Sequence, residues 1–377
     1  MQIPKNTLDK LVETQSLAET TSEHIYELVA NEEALQKYIP DGYAKTDPRD
    51  GAVILYNSAR ARRPHGYSEA EISEAETSKS CPVCEGKTTG VLDVAELSEG
   101  YTFINKNLFP LMYPADSKQY KTPDESFYKG VDSQAAAASG IHLLQWSSSF
   151  HDKDWHNMPI EDCTTVMQRL AELEKKLLTG TGTDMPETGQ NKNGNKVYGY
   201  VSIIKNHGKL VGGSMPHGHQ QIAHGNVKPK RVSENEQFEE RNKDNFSASI
   251  QKNISSDLIV KDYDTATLFV PPFMRRPFAS MLALKDTSKS FLHDLSQKEI
   301  KDIAQAWSET TKAILTIMPR IGREPAYNII TNNGPGTGLY FEFLPYTQEM
   351  GGYEHLGLWI CQGTPEQAAG ELREIMK

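Results

Sequence analysis

An order of elements that occurs twice constrains the fold of this 377-residue chain more than any other feature. After Asp50-Gly51 the residues read as an apolar strand at 52–56, with further strands at 102–104 and 140–146. The apolar spacing over 163–178 is that of an amphipathic helix; strands at 197–205 and 221–223 follow, with a glycine-rich turn between them. The second round runs through strands at 267–270 and 278–285, a helix at 297–317, strands at 327–331 and 339–344, and a last helix at 365–376. The shared order predicts an internal duplication. Residues 1–45, with Leu8, Leu11, Leu17, Ile25, Leu28, Leu35 and Tyr38 at loosely helical spacing, read as an appended helical N-terminal extension. Residues 226–257 are polar and charged and read as a solvated connection with helical stretches. The resulting division is 1–45, 46–225 and 226–377.

Composition excludes several partners. A formal charge of -10 opposes nucleic acid as a main partner, because backbone binding needs a basic face. No apolar run approaches the roughly 20 residues of a membrane span, and no hydrophobic signal core follows Met1. The expected setting is cytoplasmic, away from membranes. Four cysteines are too few for a disulfide framework in a chain of this length. Two of them form Cys81-Pro82-Val83-Cys84, a spacing that suits metal binding or thiol redox chemistry. The polar stretch around it is not the βαβ setting of a redox pair, which favours zinc. Candidate partners for the two thiolates are His151 or His156, and His217.

The run Gly212-Gly213-Ser214-Met215-Pro216-His217-Gly218-His219-Gln220-Gln221 carries the second chemistry. In an extended segment, alternate residues share a face, so His217, His219 and Gln221 would point together beside backbone left bare by glycine. His219 is the candidate nucleophile: an imidazole can attack an α-phosphate and split one transfer into two. Gln221, Ser214 and glycine N–H groups would meet the developing charge, and Arg60 and Arg63 the phosphates. No Walker loop is present, and this chemistry needs none.

Taken in order, these residues resemble the galactose-1-phosphate uridylyltransferases, a branch of the histidine-triad superfamily. The resemblance rests on Val53-Ile54-Leu55 with Arg60-Ala61-Arg62-Arg63-Pro64, Cys81-Pro82-Val83-Cys84, Phe103 through Leu111, Asn206, Ser214 through Gln221, and Gly352-Tyr353-Glu354. It covers residue 47 to the end and leaves 1–45 without a counterpart. It implies an α+β fold of two histidine-triad-like halves, each an antiparallel sheet packed with helices, in one globular unit. It assigns Cys81, Cys84, His151 and His217 to one structural zinc per chain, His219 to the nucleotidyl group and Gln221 to its stabilisation. Arg60, Arg63, Asn107, Asn206 and Ser214 would hold the nucleotide; Glu354 and Gln362 would meet sugar hydroxyls. The implied reaction passes a nucleoside monophosphate, UMP by the family's pattern, between a nucleotide sugar and a hexose 1-phosphate, by a ping-pong route in a homodimer. Two departures matter. The family's second-half His-x-His is replaced by Tyr340-Phe341-Glu342-Phe343, so no second, iron-type site is expected; and Gln348 or Glu349 stands where a basic residue would hold the sugar phosphate. The second departure keeps open a phosphorylase that cleaves an ADP-sugar or dinucleotide with inorganic phosphate. A non-catalytic nucleotide-binding protein is the third reading.

Overall fold

The structure, a computed structural model, describes residues 1–62, 81–114 and 136–377. Its strands are β1 (Tyr43–Thr46), β2 (Val53–Tyr56), β3 (Val91–Glu96), β4 (Tyr101–Lys106), β5 (Ala136–Ala137), β6 (Gly140–Trp146), β7 (Glu187–Gln190), β8 (Lys196–Tyr198), β9 (Tyr200–His207), β10 (His219–Gly225), β11 (Ile259–Asp262), β12 (Ala266–Phe269), β13 (Ser280–Leu284), β14 (Tyr327–Asn332) and β15 (Tyr340–Pro345). The helices are α1 (Lys5–Leu11), α2 (Ser22–Ala30), α3 (Ile160–Thr179), α4 (Lys230–Asn242), α5 (Phe246–Asn253), α6 (Gln297–Arg320), α7 (Gly352–His355) and α8 (Pro365–Ile375).

Ten strands form one antiparallel sheet in the order β11-β12-β13-β15-β14-β9-β10-β6-β4-β3. The order is mirrored about the β14–β9 pair: β3-β4-β6-β10-β9 on one side answers β11-β12-β13-β15-β14 on the other. Each side contributes one long helix, α3 after β6 and α6 after β13, and the two pack together on one face of the sheet. α6 begins with a capping box, in which Ser296 accepts from the Glu299 N–H and the Glu299 carboxylate accepts from the Ser296 N–H. Its apolar stripe, Ile300, Ile303, Ala304, Trp307, Ile314 and Ile317, is buried, and Trp307 meets Trp155 at 4.9 Å between ring centroids. The mixed architecture is the α+β class expected.

Several expectations need correction. The strand at 52–56 pairs with β1, which pairs in turn with β5, in a separate three-stranded sheet, and does not enter the main one. β3 takes its place in the mirrored order, and the sequence hides it because buried Asp93 interrupts the apolar run; Arg169 compensates that carboxylate through a 2.8 Å bond. The strand at 197–205 breaks into β8 and β9 at Gly199, whose φ of +68° is a left-handed conformation. Residues 226–257 hold the expected helical stretches, as α4 and α5, but are not a solvated connection: Phe246, Ile250 and Ile254 cover Phe269, Met281, Ala283 and Tyr340 at one end of the sheet. Residues 1–45 hold two short helices and a 3-10 turn, with Ile3, Leu8, Leu17, Ile25 and Leu35 all fully buried. Among the described residues no helix is long and apolar enough to cross a membrane.

Candidate metal centre and active site

β6 and β10 run side by side with His219 opposite Trp146, and the chain just before β10 carries His217. Trp146 packs against both histidines: its ring lies 5.1 Å from His217 edge-on and 4.7 Å from His219. His217 is fully buried and turns toward Cys81 and Cys84, with Nδ1 3.7 Å and 3.6 Å from the two sulfurs. His151 joins them, its Nδ1 3.8 Å from Cys84 Sγ. The four ligand atoms all lie within 4.8 Å of one another. Metal bonds of about 2.3 Å to sulfur and about 2.0–2.1 Å to nitrogen put tetrahedral S and N roughly 3.6 Å apart. The cluster therefore fits a tetrahedral ion and could hold a metal.

Protonation states agree with that fit. His217 Nε2 lies 2.8 Å from the Ser148 carbonyl, which can only accept, so the proton is on Nε2 and the Nδ1 lone pair faces the sulfurs. Burial lowers the His217 pKa to about 4, keeping the ring neutral, and burial also lowers that of His151. Burial, followed by the neighbouring Cys81, pushes the Cys84 thiol up to about 12. Cys84 would therefore give up its proton only to a bound cation, which would stabilise the thiolate. His156, the other ligand candidate, stands outside the cluster. The thiolate turn is closed by the Glu85 N–H to the Cys81 carbonyl at 3.0 Å, and Ile3, Leu8, Leu11 and Val12 pack over it. Next to His151, the Ile3 N–H donates to the Ser149 carbonyl at 3.0 Å, and the His151 N–H to the Met1 carbonyl at 2.9 Å. The first residues thus brace the metal cluster.

His219 has the opposite tautomer. Its Nδ1 lies 2.8 Å from the His217 carbonyl, so Nδ1 carries the proton and Nε2 the lone pair. Two residues on, Gln221 pairs with Ile204 on β9 and with Leu144 on β6, and shares the sheet face of His219. Behind this face lies a buried ion pair that sequence reasoning missed. Lys205 Nζ is 2.7 Å from an Asp154 carboxylate oxygen, 3.4 Å from the His219 carbonyl and 3.5 Å from Gln220 Oε1. Ser147 adds a 2.9 Å bond to Asp154, and its N–H bonds the Gly218 carbonyl at 2.9 Å. Burial opposes ionisation of Asp154, but the Lys205 ammonium overcomes it and holds the carboxyl at about 2. Gly218 has no room for a side chain: a Cβ there would stand 2.5 Å from Asp154 Cγ.

The remaining predicted residues divide. Asn206, opposite Asn328 in the β9–β14 pair, accepts from Asn328 Nδ2 at 2.7 Å, and Asn328 also reaches the Val211 carbonyl at 3.2 Å. Asn328 thereby ties the glycine-rich loop to the strand, a role visible only once the two strands are paired. Ser214 lies in that loop. Asn107 is buried, with Nδ2 3.2 Å from His142 Nδ1 and Oδ1 accepting from the Phe109 N–H at 2.9 Å. Arg60 lies on a 3-10 turn after the small sheet, and Arg63 falls outside the described residues. Glu354, within α7, accepts from the N–H of Gly351, the residue that precedes the helix, at 2.9 Å. Gln348 is a buried brace between the Ile360 carbonyl at 2.8 Å and the Gln362 N–H at 3.1 Å, and Glu349 faces Arg323.

The architecture is α+β, and its fold is the one found in uridylyltransferases. In particular, the chain superposes on a uridylyltransferase structure with a TM-score of 0.65 at 20% identity, over 89% of this chain and 98% of that one. The fold is also that of an ADP-glucose phosphorylase from Arabidopsis thaliana with bound ADP-glucose, with a TM-score of 0.60 at 18% identity over 88% and 97% of the two chains. In sequence, ADP-glucose phosphorylase of Arabidopsis thaliana is 23% identical over 349 residues, covering 88% of this chain and 92% of the relative. No family profile matches the chain. The fold implied by the resemblance to uridylyltransferases is thus the fold observed.

Proposed function

We propose that the chain is a nucleotidyltransferase working through a nucleotidyl-histidine on His219. The observation that carries this reading is the 2.8 Å bond from His219 Nδ1–H to the His217 carbonyl, which leaves the Nε2 lone pair for attack. Nε2 would form a bond to the α-phosphorus of a nucleotide sugar as the bond from that phosphorus to the bridging oxygen breaks, releasing hexose 1-phosphate. An acceptor phosphate oxygen would then attack the same phosphorus and return the electron pair to Nε2. Gln221, Ser214 and backbone N–H groups would meet charge on the transferring group, with Asn107, Asn206, Arg60 and Arg63 holding the nucleotide. Zinc is the ion that Cys81, Cys84, His151 and His217 best suit, and four protein ligands make it structural, one per chain. Uridylyl transfer to a hexose 1-phosphate is the leading form of the reaction.

A second form is favoured by one observation: at the position expected to hold a sugar phosphate, Gln348 is a buried brace rather than a cation. Inorganic phosphate would then be the acceptor and an ADP-sugar the donor, the activity named for the Arabidopsis thaliana relative. Tyr353, Leu356, Leu358 and Ile360 are exposed around Glu354, and we assign this apolar loop to the interface of a homodimer in which Glu354 and Gln362 serve the partner's site. The test is incubation with UDP-glucose or ADP-glucose labelled in the α-phosphate, a basic quench, and a search for label on the chain. A chase with galactose 1-phosphate or inorganic phosphate distinguishes the two forms. No adduct with any nucleotide sugar, or an adduct that persists in His219→Ala, would sink the mechanism and leave a nucleotide-binding protein.

A further inference from the structure

The mirrored strand order gives the His219 site a structural counterpart. Gln221 on β10, Ile204 on β9, Ile330 on β14 and Glu342 on β15 are successive cross-strand partners, so all four lie in one row on one face of the sheet. Glu342 occupies the place of Gln221, and Tyr340, the first residue of β15, the place of His219, the first residue of β10. Over Glu342 and Tyr340 opens a cavity of about 560 Å³, within the usual range for small-molecule sites.

Its chemistry is distinctive in a chain of net charge -10. Arg231, Arg241, Arg275 and Arg276 line it against two carboxylates, Glu234 and Glu342. Arg231 is 3.1 Å from Glu234 and 3.7 Å from Glu342. Among the described residues no carboxylate is within ion-pair distance of Arg241, Arg275 or Arg276. Arg275 instead lies over the Trp359 ring at 4.9 Å, and Arg276 over the Tyr346 ring at 5.4 Å. Phe238 and Phe273 supply aromatic walls, and Phe273 is half exposed. Two polar side chains of the lining are buried with an unpartnered atom, Asn235 at Nδ2 and Ser280 at Oγ. Three uncompensated guanidinium groups suit a phosphate, and aromatic walls suit a flat base.

We propose that this cavity is a second, non-transferring site for a nucleoside diphosphate. Tyr340 stands where the nucleophile would be, and its hydroxyl is held by Asn235 Oδ1 at 3.2 Å, so the site binds without forming an adduct. The inference needs no nucleotidyl transfer at His219.

Calorimetric titration of the full chain with ADP, UDP, pyrophosphate and glucose 1-phosphate tests it. Arg241→Gln, at an exposed position, and Arg276→Gln should each weaken one class of ADP or UDP site roughly tenfold while labelling of His219 is unchanged. A single site per chain that Arg241→Gln abolishes would support the cavity and speak against nucleotide binding at His219. Binding unmoved by both variants overturns the proposal, whatever the stoichiometry. Equal affinity for pyrophosphate or glucose 1-phosphate and for the nucleotides overturns the assignment of a base to the aromatic walls.

Discussion

β10 and β15 occupy equivalent places in a mirrored sheet, yet one begins with His219 and the other with Tyr340. At the β10 end a cluster that could hold a metal and a buried ion pair lie against the start of the strand. At the β15 end the corresponding space is covered by α4 and lined by arginine. The difference teaches that the covalent site proposed at His219 would rest on more than a nucleophile: the carbonyl that orients His219 belongs to a residue that is itself a metal-ligand candidate. The β15 end has no such support and keeps a pocket without a poised imidazole.

The contrast breaks most sharply at the two strand starts. His219→Ala should lower transfer by about 10⁴-fold or more and abolish the labelled adduct, whereas Tyr340→Phe should leave adduct formation intact; quenched-flow labelling measures both. Next in size is Asp154→Ala, which strands Lys205 as an uncompensated buried charge and should cost about 3–5 kcal/mol in denaturant unfolding. The same pair sets an acid limit. Because the folded Asp154 is held at about 2, below its ordinary 3.8, the carboxylate adds stability above the ordinary value and loses it as pH falls towards 2. Asp154→Asn should flatten that acid limb, as thermal unfolding between pH 5 and pH 2 would reveal.

Cys84→Ser should lower bound zinc from one per chain towards zero in metal analysis and reduce the melting temperature, while Arg241→Gln at the β15 end should alter neither. Gly218→Ala drives a methyl against Asp154 and should cost about 1–3 kcal/mol, with a fall in transfer rate as the His219 strand shifts. Asn328→Ala has the smallest expected effect, about 1 kcal/mol of stability, and should raise KM more than it lowers kcat by freeing Asn206.

Much of the candidate metal cluster was legible in the sequence because cysteine and histidine are rare residue types with characteristic spacing. Helices α3, α6 and α8 and strands β4, β6, β10, β12, β13, β14 and β15 were legible for a similar reason, since their apolar periods are regular, whereas the short β7 and β11 were not. What supports the site was not. Lys205 reads as the polar end of an apolar strand, and Asp154 as one charge among several in a surface-like run; only folding buries them together, 51 residues apart. Residues 226–257 read as solvated because their composition is polar, but a few apolar side chains, Val232, Phe246, Ile250 and Ile254, dock them over the second half of the sheet. The small β1–β2–β5 sheet was misplaced because local pattern specifies a strand without naming its partner.

The Asn206–Asn328 bond lies on the seam between the two mirrored parts and joins residues 122 positions apart. Its consequence is temporal. Local hairpins such as β3–β4 and β14–β15 can close early, but the seam must wait for two distant stretches of chain to meet, a slow, loop-closure-limited event. Asn206 is steadied by Asn328 only when that event is complete, so the nucleotide binding proposed for Asn206 should be acquired late in refolding, after most helical signal has returned.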